Sequence, residues 1–318
     1  MSEAHVDLGP DVAEFRGDVL RGLAGDPKTI PCKYFYDEEG SRLFEEITRL
    51  EEYYPTRTET GILETRAGEM ARLAGERCLL IEFGSGNSRK TEILLERLED
   101  PAGYVPIDIS REHLLESAGR LRENHPELEV LPVVADYTED LIVPEPRKAA
   151  RRRLFFFPGS TIGNFDRSEA AGFLRRIARM VRAGGALLIG VDLRKDRRML
   201  ERAYDDASGV TAAFNRNVLV RANRELGADF HPERFRHRAV WNAEAGRVEM
   251  HLVSTREQAV HVAGETFRFA AGEPLWTESS YKYAPEDFRE IAASAGFRTE
   301  RVWTDPEGLF SVQYLVAA

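Results

Sequence analysis

Five short, nearly continuous apolar runs recur between residues 78 and 193, and an amphipathic stretch separates most neighbours. The runs are CLLIEF at Cys78–Phe83, YVPIDI at Tyr104–Ile109, VLPVVADY at Val130–Tyr137, RLFFFPGS at Arg153–Ser160 and ALLIGVDL at Ala186–Leu193. Strict apolar–polar alternation is missing, so each reads as a strand buried on both faces. Strands of this kind joined by helices build βαβ units, and five of them predict an α/β fold with a doubly wound, Rossmann-like sheet. Ser88, Ser110 and Ser168 stand where N-caps of the intervening helices belong. Gly184–Gly185 supplies the stop before the last run.

The flanks keep a different rhythm. Residues 1–57 read as helices broken by the aromatic, turn-rich PKTIPCKYFYDEEG, and 197–227 reads as one long helical stretch followed by alternating strands such as RVEMHLVST and ETFRFAAGE. Residues 283–318 return to helix-then-strand. A chain of 318 residues exceeds what one core usually supports. The expected division is therefore a core of 58–196 plus 283–318, and a second, α+β domain of 1–57 plus 197–282.

Composition excludes several function classes. No apolar stretch approaches the ~18–20 residues of a membrane span, and the N-terminus lacks the basic start and apolar region of a secretory signal. Cys32 and Cys78 are the two cysteines, far apart and without a partner motif, which disfavours a disulfide framework. A net charge of −10 opposes attraction to nucleic acid or anionic membranes. The basic cluster at Pro146–Arg153 reads as a solvated loop before a buried strand. The seven histidines, from His5 to His261, show no zinc-type spacing. A cytoplasmic, metal-free protein acting on a small molecule, as a monomer, is expected.

The first run ends in Gly84-Ser85-Gly86-Asn87-Ser88, directly before a helix. Such a turn lets the backbone approach a ligand at the carboxyl edge of a sheet. Arg89 stands where a dinucleotide fingerprint has its third glycine, which argues against a dehydrogenase. Asp108 ends the second run, 22 residues after Gly86, where an acid accepts bonds from ribose hydroxyls. Asp136 and Tyr137 end the third, where a carboxylate takes the amine of adenine and an aromatic lines its ring. A glycine turn and two acids on successive strand ends resemble the layout of class I S-adenosylmethionine-dependent methyltransferases. Lys90 is by default a solvated lysine; alternatively it pairs with the cofactor's methionine carboxylate.

More specific strings extend the resemblance. They are KYFYDEEGSRLFEEITRLEEYYPTRTE at Lys33–Glu59, FGSGNSRKT at Phe83–Thr91, PGSTIGNF at Pro158–Phe165, YDDASGVTAAFNRNVL at Tyr204–Leu219, RVEMHL at Arg247–Leu252 and TESSYKY at Thr277–Tyr283. Together they resemble the histidine-specific Nα-methyltransferases of ergothioneine biosynthesis, from about Phe15 to the C-terminus. The resemblance implies a class I core with a substrate-binding second domain, and S-adenosyl-L-methionine as cofactor. It implies L-histidine and its mono- and dimethylated intermediates as substrates, and hercynine as product. It assigns Gly84, Lys90, Asp108, Asp136 and Tyr137 to the cofactor, and Tyr53, Asn164, Tyr204, Met250, Glu278 and Ser280 to the substrate. Tyr137, where relatives carry Phe, and Ser279, often small and apolar, are mild departures.

Each substrate residue also has a plainer reading. Asn164 can cap a helix, although Ser168 is better placed; Tyr204 can be a packing tyrosine; Glu278 and Ser280 can belong to an exposed strand face. Under the resemblance, Asn164 and Tyr204 donate to the substrate's carboxylate and Glu278 and Ser280 reach its imidazole. No dedicated catalytic base is expected, because the cofactor's positive charge itself lowers the pKa of a nearby ammonium. The alternatives are methylation of another amino acid, such as a tryptophan derivative, and a regulator that binds the cofactor without catalysis.

Overall fold

The computed structural model describes residues 6–8, 12–86, 88–139, 141–181 and 184–318. His5, Asn87 of the glycine loop, and residues 182–183 before the expected helix stop lie outside the described residues. The chain forms two compact units. One holds Val6–Leu8, Pro55–Arg194 and Lys282–Ala318; the other holds the N-terminal segment up to Tyr54 together with Lys195–Tyr281.

The first unit is built on an eight-stranded sheet. Its order is Val6–Leu8, Val133–Ala135, Gly103–Asp108, Cys78–Phe83, Arg152–Phe157, Ala186–Asp192, Phe310–Ala317, Phe297–Thr304. The first six strands are parallel, and Phe310–Ala317 runs antiparallel to both of its neighbours. The order reverses beside Cys78–Phe83, so this is the doubly wound sheet expected from the sequence, with one added edge strand. That strand, Val6–Leu8, corrects the assignment of all of residues 1–57 to the second domain. Three residues are too few to carry a periodic signal.

Every residue of Cys78–Phe83 and Ala186–Asp192 is buried, as a two-faced strand requires. Parity decides which layer each side chain joins. Leu80, Leu154, Phe156 and Leu188 share one cluster with Leu63 and Met70 of the helix Tyr54–Ala74 and Leu121 of Arg111–Asn124. Phe83 and Phe157 face the other way, with ring centroids 5.7 and 5.0 Å from Phe173 of the helix Arg167–Val181. Truncating a ring so enclosed, as in Phe156→Ala, costs about 3–5 kcal/mol.

The helices start where serines mark them, but by other means. Ser88 is left-handed (φ 59°) and makes no side-chain cap. Ser110 also caps nothing; its own N–H donates to Asp108 Oδ1 at 2.9 Å. Asp166, not Ser168, caps Arg167–Val181: its Oδ1 accepts the N–H groups of Ser168 and Glu169, each at 2.8 Å. Glu169 returns a bond to the Asp166 N–H, completing a capping box. The run Val130–Tyr137 forms a strand only over Val133–Ala135, since Pro132 has no N–H to pair. The basic cluster is solvated up to Arg151, while Arg153 is largely covered in the strand, and it is paired: Arg147 meets Glu129, Lys148 meets Asp100, Arg151 meets Glu76 and Arg153 meets Glu145.

The second unit has a four-stranded sheet in the order Lys28–Thr29, Pro274–Tyr281, Arg247–Ser254, Phe235–Asn242. Along Arg247–Ser254 every second residue is buried, which puts Val248, Met250 and Leu252 on the inner face. The stretch 197–227 is two helices, Arg197–Tyr204 and Val210–Leu226, rather than one. Asp206 starts the second by accepting the N–H groups of Val210 (3.0 Å) and Thr211 (2.7 Å). Asp37 caps the helix Glu38–Ile47 through the Gly40 N–H at 2.8 Å. The same carboxylate takes Asn217 Nδ2 at 2.6 Å and Arg224 Nη2 at 2.7 Å, tying this helix to Val210–Leu226. Among the described residues no helix is long and apolar enough to cross a membrane.

Candidate active site

In the sheet unit, the residues expected to hold a cofactor gather at the carboxyl ends of three neighbouring strands. Gly84 leaves Cys78–Phe83 at φ +66°, a region other residues rarely adopt, and its N–H donates to Ile107 O at 2.8 Å. Asp108 ties the turn together: Oδ2 accepts the Gly86 N–H at 3.2 Å while Oδ1 takes that of Ser110. Burial raises its pKa above the ordinary carboxylate value, and these N–H groups oppose the shift. A carboxylate has about four lone-pair sites, so it retains capacity for a hydroxyl donor. Asp136 is folded onto its own turn, with Oδ1 accepting Thr138 N (2.8 Å) and Oγ1 (2.6 Å). The Tyr137 ring is 5.6 Å from those of both Phe83 and Phe157 and 5.9 Å from Phe173, an apolar wall beside Gly84.

Lys90 is neither solvated nor unpaired. Its Nζ is 2.5 Å from Glu59 Oε2, which also accepts the Gly159 N–H at 2.8 Å, and the Glu59 side chain is fully buried. Gly190 makes room for this carboxylate: a Cβ there would lie 2.0 Å from Glu59 Oε1. Glu82, another residue not singled out from sequence, is buried under the same turn. Its Oε2 accepts the hydroxyls of Thr91 and Tyr104, and burial pushes its pKa up to about 8. Asn164 ends the 3-10 turn Thr161–Asn164 and is half-buried.

In the second unit, Tyr53, Tyr204, Met250 and Glu278 line one pocket. Residues not foreseen complete it: Tyr36, Phe44, Ile47, Ala203, Thr211 and Phe214. Tyr53 lies 6.2 Å from both Phe44 and Tyr204, and Phe44 lies 5.8 Å from Phe214 (centroid distances). Asn164 belongs to the sheet unit and is not part of this lining. The missed aromatics carried a faint signal, namely the density of rings in KYFYDEEGSRLF.

Glu278 enters the pocket because of an irregularity in the sheet. Trp276 pairs with His251 but Glu278 with the adjacent Met250, so one extra residue, Thr277, is accommodated between them. Such a β-bulge reverses the facing of the strand. Trp276 stays on the face of His251 and Arg247, while Glu278 turns to the side of Met250. Ser280, two residues on, is buried and its Oγ lies 2.7 Å from the Tyr204 hydroxyl. One carboxylate and a pair of hydroxyls in an aromatic enclosure suit a flat, polar ring. Among the described residues no group of three or more His, Cys, Asp or Glu could hold a metal ion.

The profile described as "Histidine-specific methyltransferase, SAM-dependent" matches residues 15–317. The chain is 45% identical to the histidine N-alpha-methyltransferase of Mycolicibacterium smegmatis, over 95% of this chain and 94% of that one. It is 44% identical to the enzyme of the same name from Mycobacterium tuberculosis, over 96% of each. It is 35% identical to ergothioneine biosynthesis protein 1 of Neurospora crassa, over 87% of this chain but 32% of that longer protein. With these matches spanning nearly its whole length, the chain belongs to the histidine-specific, S-adenosylmethionine-dependent methyltransferases.

Proposed function

We propose that this chain, acting as a monomer, transfers three methyl groups from S-adenosyl-L-methionine to the α-amino nitrogen of L-histidine, giving hercynine, the first step of ergothioneine biosynthesis. The observation that carries the substrate is Glu278, turned by the bulge into an aromatic pocket beside Met250. Its carboxylate accepts an imidazole N–H, and the Ser280–Tyr204 hydroxyl pair adapts to the remaining polar groups. An indole lacks the second ring nitrogen that the hydroxyl pair can meet and is a larger ring, which favours histidine over tryptophan.

The cofactor edge fits a nucleoside. Asp108 has lone pairs for the ribose, Asp136 supplies an acceptor near the base, and Tyr137 lines the ring. The bound cofactor supplies a methyl group activated by the sulfonium charge, so the chain's own task is alignment of a neutral amine. Holding ring and carboxylate while leaving the nitrogen able to rotate suits repeated transfer. Peptide α-amino groups titrate near roughly 8, and a free amino acid's higher still. The rate is therefore expected to climb toward mildly alkaline pH without a sharp optimum set by one side chain.

Mass spectrometry of the product from L-histidine and cofactor tests the proposal. A gain of three methyl groups is expected; no methylated product rejects it. Calorimetric titration with histidine and tryptophan separates the substrates, tighter tryptophan binding favouring the alternative.

A further inference from the structure

Tyr204 is the last residue of its helix, so its carbonyl is one of the four that a helix end leaves without a partner inside the helix. His237, on the strand Phe235–Asn242, meets it: Nε2 lies 2.8 Å from Tyr204 O. The other ring nitrogen, Nδ1, lies 2.9 Å from Asn215 Nδ2, on the helix Val210–Leu226. An amide NH₂ only donates and a carbonyl only accepts, so both neighbours require the same tautomer, with Nδ1 bare and Nε2 protonated. With the ring neutral, turning the Asn215 amide over would demand a proton on Nδ1 and leave two acceptors facing each other at 2.8 Å. The arrangement is therefore self-consistent for one neutral form of the ring. Burial lowers the His237 pKa and favours that form, with Asp205, Asp206 and Arg216 the charged groups that face it.

We propose that His237 is a positioning residue for substrate binding: its Nε2–H fixes the Tyr204 carbonyl, and so fixes where the Tyr204 hydroxyl meets Ser280. The histidine buttresses the pocket from behind; Tyr204 and Ser280 touch the substrate. It also joins two helices that both carry pocket residues, Tyr204 at the end of one, Thr211 and Phe214 on the other. The inference rests on the substrate reading above in that Tyr204 and Ser280 contact histidine.

The experiment is a double-mutant cycle of His237→Phe with Tyr204→Phe, plus His237→Gln. Each variant is read by KM and kcat for L-histidine and by calorimetric Kd for S-adenosylhomocysteine. His237→Phe is expected to raise KM about tenfold, as the loss of one hydrogen bond would, with the Kd for S-adenosylhomocysteine unchanged. Gln, whose amide can still donate to the Tyr204 carbonyl, recovers most of the loss. In the Tyr204→Phe background, His237→Phe adds less than about twofold, since coupled residues are not additive. Full multiplication of the two effects, or a KM within about twofold of wild type, overturns the proposal. A wild-type enzyme that binds S-adenosylhomocysteine but not histidine fails the substrate reading instead. Ring ¹⁵N NMR then still judges His237: a proton on Nδ1 at neutral pH overturns its role, and a neutral Nε2–H ring supports it.

Discussion

The two candidate sites are held by opposite means. At the sheet edge the candidate cofactor groups come from one stretch of chain, Gly84 to Tyr137, and backbone N–H groups help hold Asp108 and Asp136. Topology alone brings Gly84, Asp108 and Asp136 to adjacent strand ends. The pocket of the second unit draws on four distant stretches, around Tyr36–Tyr53, Ala203–Phe214, Met250 and Glu278, and its walls are packed rings. Fixed acceptors suit a cofactor of constant shape. A ring-lined pocket with a few movable hydroxyls suits a substrate that gains a methyl group at each turn.

If the edge depends on its carboxylates, Asp108→Ala is the most damaging single change. It strands two N–H groups and removes the acceptor proposed for the cofactor, so the Kd for S-adenosylhomocysteine should rise about a hundredfold by calorimetry. A tenfold or smaller rise would mean that the backbone holds itself. Glu278→Ala probes the other region: KM for histidine should rise on the order of thirtyfold while cofactor affinity stays put. Equal losses in both would erase the distinction drawn here.

Gly190→Ala asks how tightly the edge is supported from below. Its Cβ would collide with Glu59, and thermal or denaturant unfolding should show a loss of about 2 kcal/mol. Glu82 makes the same region sensitive to pH. Its folded pKa, about 8, stands above the 4.5 of the unfolded chain, so unfolding releases a proton between those values. Its contribution to stability is therefore greatest below about pH 4.5 and is lost as pH rises toward 8, by at most about 1.4 kcal/mol per unit. Glu82→Gln should flatten that slope in pH-dependent denaturation; an unchanged slope would show the carboxyl ionising freely.

This contrast also explains what could be read in advance. The apolar runs gave the sheet, because a strand buried on both faces leaves a signature in every residue of Cys78–Phe83. Asp108 and Asp136 followed from their places at strand ends. Glu278 and Ser280 were legible only through resemblance, since no local pattern announces a bulge after Trp276. The break at Asp205–Gly209 was missed because the flanking helices share a continuous polar–apolar rhythm. Between them Asp206 begins the second helix afresh by capturing its first two N–H groups. Glu59 and Glu82 look like ordinary charged residues in sequence, and only packing reveals that both are enclosed.

Asp37 carries a consequence for how the molecule is made. The helix it caps packs on Val210–Leu226 through Asn217, 180 residues further along the chain. A ribosome moving at roughly 5–20 residues per second needs about 9–36 s to cover that distance. Throughout that interval the early helix has its cap but not its partner, and the apolar face with Leu43 and Ile47 stays open to solvent or to a chaperone. The sheet unit's first five parallel core strands emerge within the same interval, so it can begin to assemble before the pocket exists.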